Sequence, residues 1–303
     1  MTTPPRRFLP YLALGVVWVV WGSTYLAMRV AVSEMPPLGA AAVRFGAAGL
    51  AMTLVALVVD RRQGRPSPRQ LLEYAAIGIL LLSVANGLVM WSERTIPSGI
   101  AALVVATVSV WLVLLDGLRP GGQPWTARVW LGTVIGLAGV VLLARPEGEV
   151  AAEHWLSIMG LLAASLVWAV GSLSAQSVTK RLPLATAAAT EMLAGAFVLA
   201  LASRLFGEDL SDLFGASPRA WGGLAYLAVV GSLVGFTAFA YCLNELPAST
   251  VSTYAYVNPV VAVALGALIL GEVLTPGLLA GGALILIAVI LTTIRPRRGQ
   301  YSK

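Results

Sequence analysis

Long apolar runs joined by short polar loops constrain this chain more than any other feature of its sequence. A run of about 20 apolar residues can cross the hydrocarbon core of a bilayer as one helix. Hydrophobic residues make up 58% of the chain and charged residues only 11%, which excludes an ordinary soluble domain and a disordered chain. We predict an all-α membrane protein whose ten spans cover residues 9–32, 37–59, 70–91, 97–118, 126–144, 156–179, 184–206, 219–243, 248–271 and 275–294.

The distribution of Arg and Lys predicts how these spans are oriented. When the N-terminus is placed in the cytoplasm, most basic loop residues fall on the cytoplasmic side, as the positive-inside rule requires. The outer loops then carry only Arg94, Arg145, Arg204 and Arg219. We therefore predict that both termini are cytoplasmic. The net charge of +6 is explained by this topology, so we expect no nucleic-acid partner.

The two halves of the chain repeat each other. Similar features recur in the same order, namely Trp21-Gly22-Ser23 and Val170-Gly171-Ser172, Pro36 and Pro183, Arg44 and Glu191, Ile96-Pro97 and Leu246-Pro247, and Gly132 and Gly282. Because each half contains an odd number of spans, the second half must be inserted upside down. Inverted repeats place a binding site near the midplane and permit rocking between two open states. We predict a first repeat at residues 1–147, a second at 148–303, and a central cavity between them.

The ninth predicted span is interrupted by Asn258 and Pro259. Proline removes a backbone donor and crowds the preceding turn, so the helix should kink or loosen there. In lipid, the freed carbonyl is tolerated only where protein or a water-filled cavity meets it. Tyr254 and Asn258 share a helix face, which we interpret as a cavity wall with Pro259 as a hinge. A packing kink, with Asn258 bonded to a neighbouring helix, is the alternative.

The first span carries Trp18, Trp21, Tyr25 and Arg29 along one continuous helix face. Aromatic side chains provide large, rigid contact surfaces that also carry a polar atom, and cations can rest against their faces. We interpret this face as a wall that contacts substrate. The alternative is an aromatic belt at the membrane surface, but Trp18 and Trp21 lie well inside the span.

Candidate substrate contacts also occur on four other spans, where simple helix packing is the alternative. They are Asn86 and Met90 on span three, Trp111 on span four, Trp168 and Ser172 on span six, and Phe236 on span eight. Spans five and ten differ, because they are rich in Gly and almost free of polar groups. The spacing of Gly132 and Gly136, and of Gly277 and Gly281, lets helices approach closely. We assign these two spans to a scaffold outside the cavity.

Among the ionisable residues inside predicted spans, Arg44 and Glu191 each lie about two turns from the nearer end, where charges are costly and often functional. They fall toward opposite sides of the membrane, so we do not expect them to pair. For Arg44 we favour a structural role near a helix end, where a long side chain can snorkel. A desolvated Glu191 could carry a proton.

The order of several motifs gives the chain a family resemblance. They are Trp21-Gly22-Ser23-Thr24, Pro36-Pro37 followed by Arg44-Phe45, and Asn258-Pro259 followed by Leu270-Gly271-Glu272. Together they resemble the drug/metabolite transporter superfamily, and within it the ten-helix EamA-type exporters of amino acids and other metabolites. That family often has Pro and a Gly-Glu pair where this chain has Ser109 and Gly121-Gly122. We therefore expect span four to lack the kink that we infer for span nine.

The resemblance implies an inner-membrane carrier that exports amino acids, including apolar and aromatic ones, and related small metabolites by alternating access. Spans one and six contain no Asp or Glu, which favours facilitative transport. The alternatives are efflux of lipophilic cationic drugs, with or without proton coupling, and a membrane-embedded enzyme. For an enzyme, the chain lacks an HExxH motif, a Cys/His cluster and an intramembrane Asp pair. We expect no catalysis, cofactor or metal, only the bilayer and a small-molecule substrate as partners, and a monomer.

Overall fold

The computed structural model describes residues 8–61, 66–120, 125–143, 152–178, 181–246, 251 and 253–293. Throughout these residues the regular structure is helical, and it contains no strand. The main helices are α1 (Phe8–Val32), α2 (Pro37–Val59), α3 (Pro68–Ser92), α4 (Ser98–Asp116), α5 (Ala127–Leu143), α6 (Ala152–Gln176), α7 (Leu184–Leu205), α8 (residues 218–245), α9 (Tyr254–Leu270) and α10 (Pro276–Thr293). A single helical turn, Asp212–Gly215, lies between α7 and α8.

Seven of these helices are long and apolar enough to cross a membrane, namely α1, α2, α3, α4, α6, α7 and α8. The three others, α5, α9 and α10, are apolar but shorter. The protein is therefore an all-α membrane protein. The interpretation of the chain as ten spans in two inverted repeats stays a prediction at this point, and the predicted start of span nine at residue 248 lies outside the described residues.

Several helices begin where a serine precedes a proline. At the start of α3, Ser67 N donates to Gln70 Oε1 at 3.0 Å, while Gln70 N donates to Ser67 Oγ at 3.3 Å. This reciprocal arrangement is a capping box, and it satisfies backbone donors that have no partner within the helix. Proline at the following position, Pro68, costs no hydrogen bond because its missing N–H would be free there in any case. At the start of α8, Ser217 Oγ accepts from Ala220 N at 3.3 Å, and Pro218 is again the first helical residue.

Apolar side chains cover the outside of the helices as well as the inside. Leu54 of α2 and Phe197 of α7 are 67% and 72% exposed, while Phe45 and Met192 on the same two helices are fully buried. A helix that is apolar on all sides is suited to lipid contact. The exposed faces of α2 and α7 therefore face lipid, and their buried faces pack inside the protein.

Helices α5 and α10 pack against each other through glycine. A Cβ atom placed on Gly139 would lie 2.8 Å from the carbonyl oxygen of Gly281, and one on Gly132 would lie 2.7 Å from a methyl carbon of Thr292. Such approach requires small residues. Neither helix contributes to the cavity described below, which confirms the sequence-based assignment of spans five and ten to a scaffold.

Helices α2 and α7 cap each other at opposite ends. Asp60, directly after α2, accepts hydrogen bonds from Thr186 N at 3.0 Å and Thr186 Oγ1 at 2.8 Å at the start of α7. Glu208, shortly after α7, accepts from Leu38 N at 3.0 Å and Gly39 N at 2.8 Å at the start of α2. Carboxylates are stabilising at helix N-termini because they complement the free N–H groups and the helix dipole. The two helices are thereby fixed as an antiparallel pair.

Three helices contain π-helical segments, and a fourth is interrupted. The π segments are Ile79–Ala85 in α3, Leu227–Val234 in α8 and Gly266–Leu270 in α9. Helix α4 consists of Ser98–Val105 and Val108–Asp116, and between them Thr107 N bonds to Val104 O at 3.1 Å, an i to i−3 pattern. The expectation that span four lacks the kink inferred for span nine stays a prediction. The structure does show a short break in the α-helical hydrogen bonding at Ala106 and Thr107. Its physical cause is local, because Thr107 Oγ1 also bonds to Val104 O at 2.7 Å and competes for that carbonyl.

Candidate functional site

An internal cavity of about 100 Å³ lies among helices α1, α2, α3, α4, α6, α8 and α9. The sequence-predicted contacts that line it are Trp21, Tyr25, Asn86, Trp168, Phe236, Tyr254 and Asn258. Ligand sites for small molecules usually have volumes of about 300–1,000 Å³. In this conformation the cavity is therefore partly closed, and a substrate larger than a few atoms requires its walls to move.

Aromatic rings from three helices pack edge to face along one side of the cavity. The ring of Trp21 in α1 lies 5.9 Å from that of Phe236 in α8 and 5.4 Å from that of Tyr254 in α9. Phe239, one turn after Phe236, lies 4.8 Å from Trp21. Edge-to-face pairs are favourable because the positive edge of one ring meets the negative face of the next. The cluster thus forms a rigid apolar wall that joins both halves of the chain.

The two amides in the cavity are bonded to helix backbone. Asn86 Nδ2 donates to Leu81 O at 3.1 Å, within the π-helical region of α3. The Asn258 amide nitrogen, in the orientation that satisfies its neighbours, donates to Trp18 O and Tyr254 O at 3.1 Å each. Through these contacts Asn258 links α9 to α1. This agrees with the alternative interpretation of the sequence, in which Asn258 is bonded to a neighbouring helix. Both side chains nevertheless reach the cavity surface.

Arg44 of α2 also lines the cavity. Its side chain is only 5% exposed, and its Nε donates to Ser232 Oγ at 3.3 Å. Its guanidinium lies 4.6 Å from the ring centre of Phe45. The Nη1 atom is buried and has no hydrogen-bond partner in the described part of the chain. The sequence singled out Arg44 as a charge within a span but could not show that it faces the cavity.

Four of the predicted contacts lie outside the cavity lining. Trp18 Nε1 donates to Thr253 Oγ1 at 3.2 Å, and Trp111 Nε1 donates to Ser165 Oγ at 3.1 Å. Met90 is fully buried in the core, and Ser172 is partly buried away from the cavity. For Met90 the cause is helix rotation, because Val89 rather than Met90 follows Asn86 at the cavity surface. These four residues do not contact the cavity in this conformation.

Charged residues line a second recess on the predicted outer side. The recess, about 300 Å³, is lined by Arg29, Glu34, Arg219 and Glu272 among others. Arg29 also donates a hydrogen bond to the backbone carbonyl of Glu93. Glu93 is fully buried, and neither of its carboxylate oxygens has a hydrogen-bond partner among the described residues.

Glu272, which lines this recess, is bonded to the start of α4. Its carboxylate accepts from Ser98 N and Ser98 Oγ, both at 2.8 Å, and from Gly99 N at 3.2 Å. Glu272 follows the end of α9, so these bonds tie α9 to α4 at the predicted outer side.

The fold and the cavity define a polytopic α-helical membrane protein with a solute-sized internal site. A model of the EamA-like transporter family matches residues 9–145 and again residues 155–294. The chain belongs to the EamA-like transporter family and is a membrane transporter of the drug/metabolite transporter superfamily.

Similarities to individual proteins support this assignment. The chain is 40% identical over 301 residues to the uncharacterized inner membrane transporter YedA of Escherichia coli strain K12, covering 98% of this chain and 93% of YedA. This relationship and the apolar helices place the protein in the inner membrane. It is also 28% identical over 285 residues to a probable terminal-alkyne amino-acid exporter of Streptantibioticus cattleyicolor, covering 93% of each chain. A solved crystal structure shares the fold, with a TM-score of 0.64, 22% identity, and coverage of 94% of this chain and 96% of the other.

Proposed function

We propose that this transporter exports amino acids, including apolar and aromatic ones, and related small metabolites by facilitative alternating access. The observation that carries the proposal is the aromatic wall around Trp21, which lines a partly closed cavity among the helices. Rings of this kind bind apolar and aromatic side chains without demanding one particular shape. The similarity to a probable amino-acid exporter supports the same substrate class.

The architecture we propose is ten membrane spans in two inverted repeats, at residues 1–147 and 148–303, with both termini in the cytoplasm. The two matches of the family model, at 9–145 and 155–294, support such a division. The reciprocal caps of α2 and α7 support it as well, because each of these helices is the second of its half. Alternating access then consists of rocking of the two halves around the cavity.

The substrate contacts we propose are the predicted residues that line the cavity, with Pro259 as the hinge. Trp18, Met90, Trp111 and Ser172 lie outside this conformation's lining and would reach substrate only after the helices rearrange. We propose no catalytic role for any residue and expect neither cofactor nor metal. A monomer is sufficient for this mechanism, because the cavity is completed within one chain.

Efflux of lipophilic cations is the alternative function. Cation carriers need negative charge at the site, because a desolvated cation is costly without a counter-charge. Among the described residues that line the cavity there is no Asp or Glu, and the one charged residue is Arg44. This charge distribution disfavours cationic substrates.

Counterflow into liposomes that contain the purified full-length protein tests the proposal. We expect labelled phenylalanine to enter liposomes preloaded with unlabelled phenylalanine, without any ion gradient, and not to enter liposomes without protein. Tetraphenylphosphonium serves as the cationic comparison. Entry of the cation without entry of phenylalanine would overturn the proposal in favour of drug efflux.

A further inference from the structure

Arg44 is a buried cation that the protein does not neutralise by direct contact. A guanidinium has five N–H donors in a planar fork. Of these, Nε bonds to the neutral hydroxyl of Ser232, whose own hydroxyl donates to Leu227 O at 3.0 Å within the π segment of α8. Nη1 has no partner, and the described residues place no carboxylate within ion-pair distance of the side chain.

A buried guanidinium with an unpaired N–H group is unfavourable unless another group supplies the missing hydrogen bonds and the counter-charge. A buried charge without a partner destabilises a protein, and burying it is tolerated when a counter-charge satisfies its donors. The carboxylate of Glu93 accepts no hydrogen bond from Arg44, because neither of its oxygens has a hydrogen-bond partner among the described residues, and the two side chains form no ion pair. Glu93 therefore does not complete the Arg44 fork.

The position of Arg44 relative to the aromatic wall suggests which kind of group binds its free N–H donors. Tyr25 and Trp21 of α1, and Gly231 of α8, line the same cavity as Arg44. A ligand in this cavity can place an apolar side chain against the aromatic rings while an anionic group meets the guanidinium. Guanidinium and carboxylate match each other in a bidentate geometry that an ammonium cannot reproduce.

We propose that Arg44 is the subsite that binds the carboxylate of the transported amino acid. This inference rests on the proposed function and deepens it, because it makes the carboxylate a requirement for recognition. It replaces the structural role that the sequence alone favoured for this residue. Ser232 acts as a positioning residue, because its hydroxyl holds the guanidinium toward the cavity.

The test compares phenylalanine with phenylalaninamide, which keeps the aromatic ring and the amino group but lacks the carboxylate. Each unlabelled compound is added as a competitor, and the entry of labelled phenylalanine by counterflow into liposomes that contain the full-length protein is measured. We expect the wild type to bind phenylalanine at least about tenfold more tightly than the amide, as a charge-assisted bidentate contact implies. In Arg44→Gln we expect that preference to disappear, and in Arg44→Lys to be reduced but retained.

The matched control is Arg94→Gln. Arg94 is exposed on the predicted outer side, where its guanidinium lies 5.5 Å from the ring centre of Trp91. This variant removes the same charge outside the cavity and should keep the wild-type preference. Thermal unfolding in detergent with and without each compound gives a second readout, in which phenylalanine but not the amide should stabilise the wild type.

Several results would overturn the inference. If the wild type does not distinguish phenylalanine from its amide, the inference is overturned even when no Arg44 variant folds. It is also overturned if the preference for phenylalanine survives in Arg44→Gln. Recovery of transport in the Arg44→Gln, Glu93→Gln double variant would show instead that the two charges balance each other structurally. A wild type that transports no amino acid would overturn the proposed function itself, whereas the preceding outcomes overturn only the subsite.

Discussion

Trp21 is the residue around which the aromatic wall is assembled. Its neighbour Gly22 explains how α1 and α9 approach closely enough, because a Cβ on Gly22 would lie 2.6 Å from Val261 Cβ. That approach brings Tyr254 to 5.4 Å from the Trp21 ring. Replacing Gly22 by alanine would separate the helices, so the position of the wall depends on a residue that does not itself line the cavity.

We expect Trp21→Ala to lower phenylalanine transport at least about tenfold, because truncating a large buried aromatic anchor commonly costs more than about 2 kcal/mol of binding. Initial rates of counterflow at equal amounts of folded protein provide the measurement. The matched control is Trp130→Ala on α5, whose indole is 51% exposed and packs on Trp125 away from the cavity. Equal loss in both variants would point to general destabilisation rather than to a substrate contact.

The sequence predicted most residues of the aromatic wall, but not which of the other predicted contacts lie outside the cavity. Trp21 and Tyr25 could be predicted because their spacing puts them on one face of a regular helix. Met90, predicted on the same face as Asn86, is buried in the core and does not line the cavity in this conformation, because spacing does not determine how a helix rotates toward a cavity. The π segment Ile79–Ala85 precedes both residues and changes the rotation of the rest of α3. The exposure of Arg44 to the cavity depends on three-dimensional packing and leaves no local signal.

At the scale of helices, irregular segments recur at equivalent places in the two halves. The third long helix of each half contains a π segment, and each segment has a polar side chain bonded five residues back. Asn86 bonds to Leu81 O in α3, and Ser232 bonds to Leu227 O in α8. Each segment contributes residues to the cavity, such as Ala85 and Gly231. π-Helical segments are frequent at functional sites, and in the proposed rocking mechanism these two segments would adjust as the halves move.

Pro259 lies inside α9, five residues after its start at Tyr254. Because it has no N–H, the carbonyl of Ala255 lacks its usual helical partner. We expect Pro259→Ala to restore that bond, to slow transport several-fold and to shift the balance between the two open states, because hinge positions must absorb backbone change. Transport rates and the labelling of cysteines introduced on either side measure the two effects.

The matched control for the hinge is Pro276→Ala. Pro276 is the first residue of α10, where a proline removes no helical bond. We expect this variant to transport like the wild type. If Pro259→Ala also behaves like the wild type in both assays, the proline is only architectural.

Glu272 offers a separate test of how the predicted outer side is closed. We expect Glu272→Gln to weaken the charge-assisted bonds to Ser98 and Gly99, to lower stability by about 1 kcal/mol, and to increase labelling from the outer side. Thermal unfolding and cysteine labelling provide the measurements. Glu73→Gln is the control, because Glu73 makes only an exposed pair with Arg69, and such pairs contribute little. Unchanged labelling would exclude Glu272 from the closure.

At the scale of the whole molecule, Glu34 joins the two halves at the surface. It lies in the exposed turn after α1, where its carboxylate accepts from Ser217 N at 2.7 Å and Ser217 Oγ at 2.8 Å at the start of α8. These hydrogen bonds, together with the charge of Arg219, hold the pKa of Glu34 below its ordinary value of 4.5. A carboxyl group with a lowered folded-state pKa stabilises the fold above its unfolded pKa, and that contribution is lost as the pH falls through the folded pKa.

We therefore expect wild type to unfold at a higher temperature than Glu34→Gln near neutral pH, and the difference to disappear when the pH falls well below about 4.5. Thermal unfolding in detergent between about pH 7 and pH 3 measures it. Glu73→Gln again provides the control for loss of an exposed carboxylate. A difference that grows as the pH falls would have the wrong sign for this mechanism.

The helical framework was largely predictable from the sequence, and its packing was not. The predicted bounds of spans one, two and seven agree closely with Phe8–Val32, Pro37–Val59 and Leu184–Leu205, because prolines or polar loops mark their ends. The pairing of α2 with α7 through Asp60 and Glu208 joins residues far apart in the chain. Contacts of this kind follow from tertiary packing, so no local pattern predicts them.

The last prediction concerns the energy source for transport. Proton-coupled carriers usually hold a carboxylate in the substrate path, where proton and substrate compete for it. No described residue of the cavity lining is Asp or Glu, and Glu191 lies on α7, which contributes nothing to that lining. The Glu191 backbone instead packs against Gly78 of α3, so closely that a Cβ atom added to Gly78 would collide with the backbone of Glu191. We expect a facilitative carrier that moves zwitterions down their own gradient, a mechanism that would suit overflow export.

Liposomes with an imposed pH gradient and equal phenylalanine on both sides test this expectation. We expect no net accumulation, and the same exchange rate for wild type and Glu191→Gln, because no proton moves with the substrate. The control is an imposed phenylalanine gradient at equal pH, which should drive net flux in both proteins. Accumulation driven by the pH gradient in wild type but not in Glu191→Gln would show that Glu191 carries a proton and that transport is coupled.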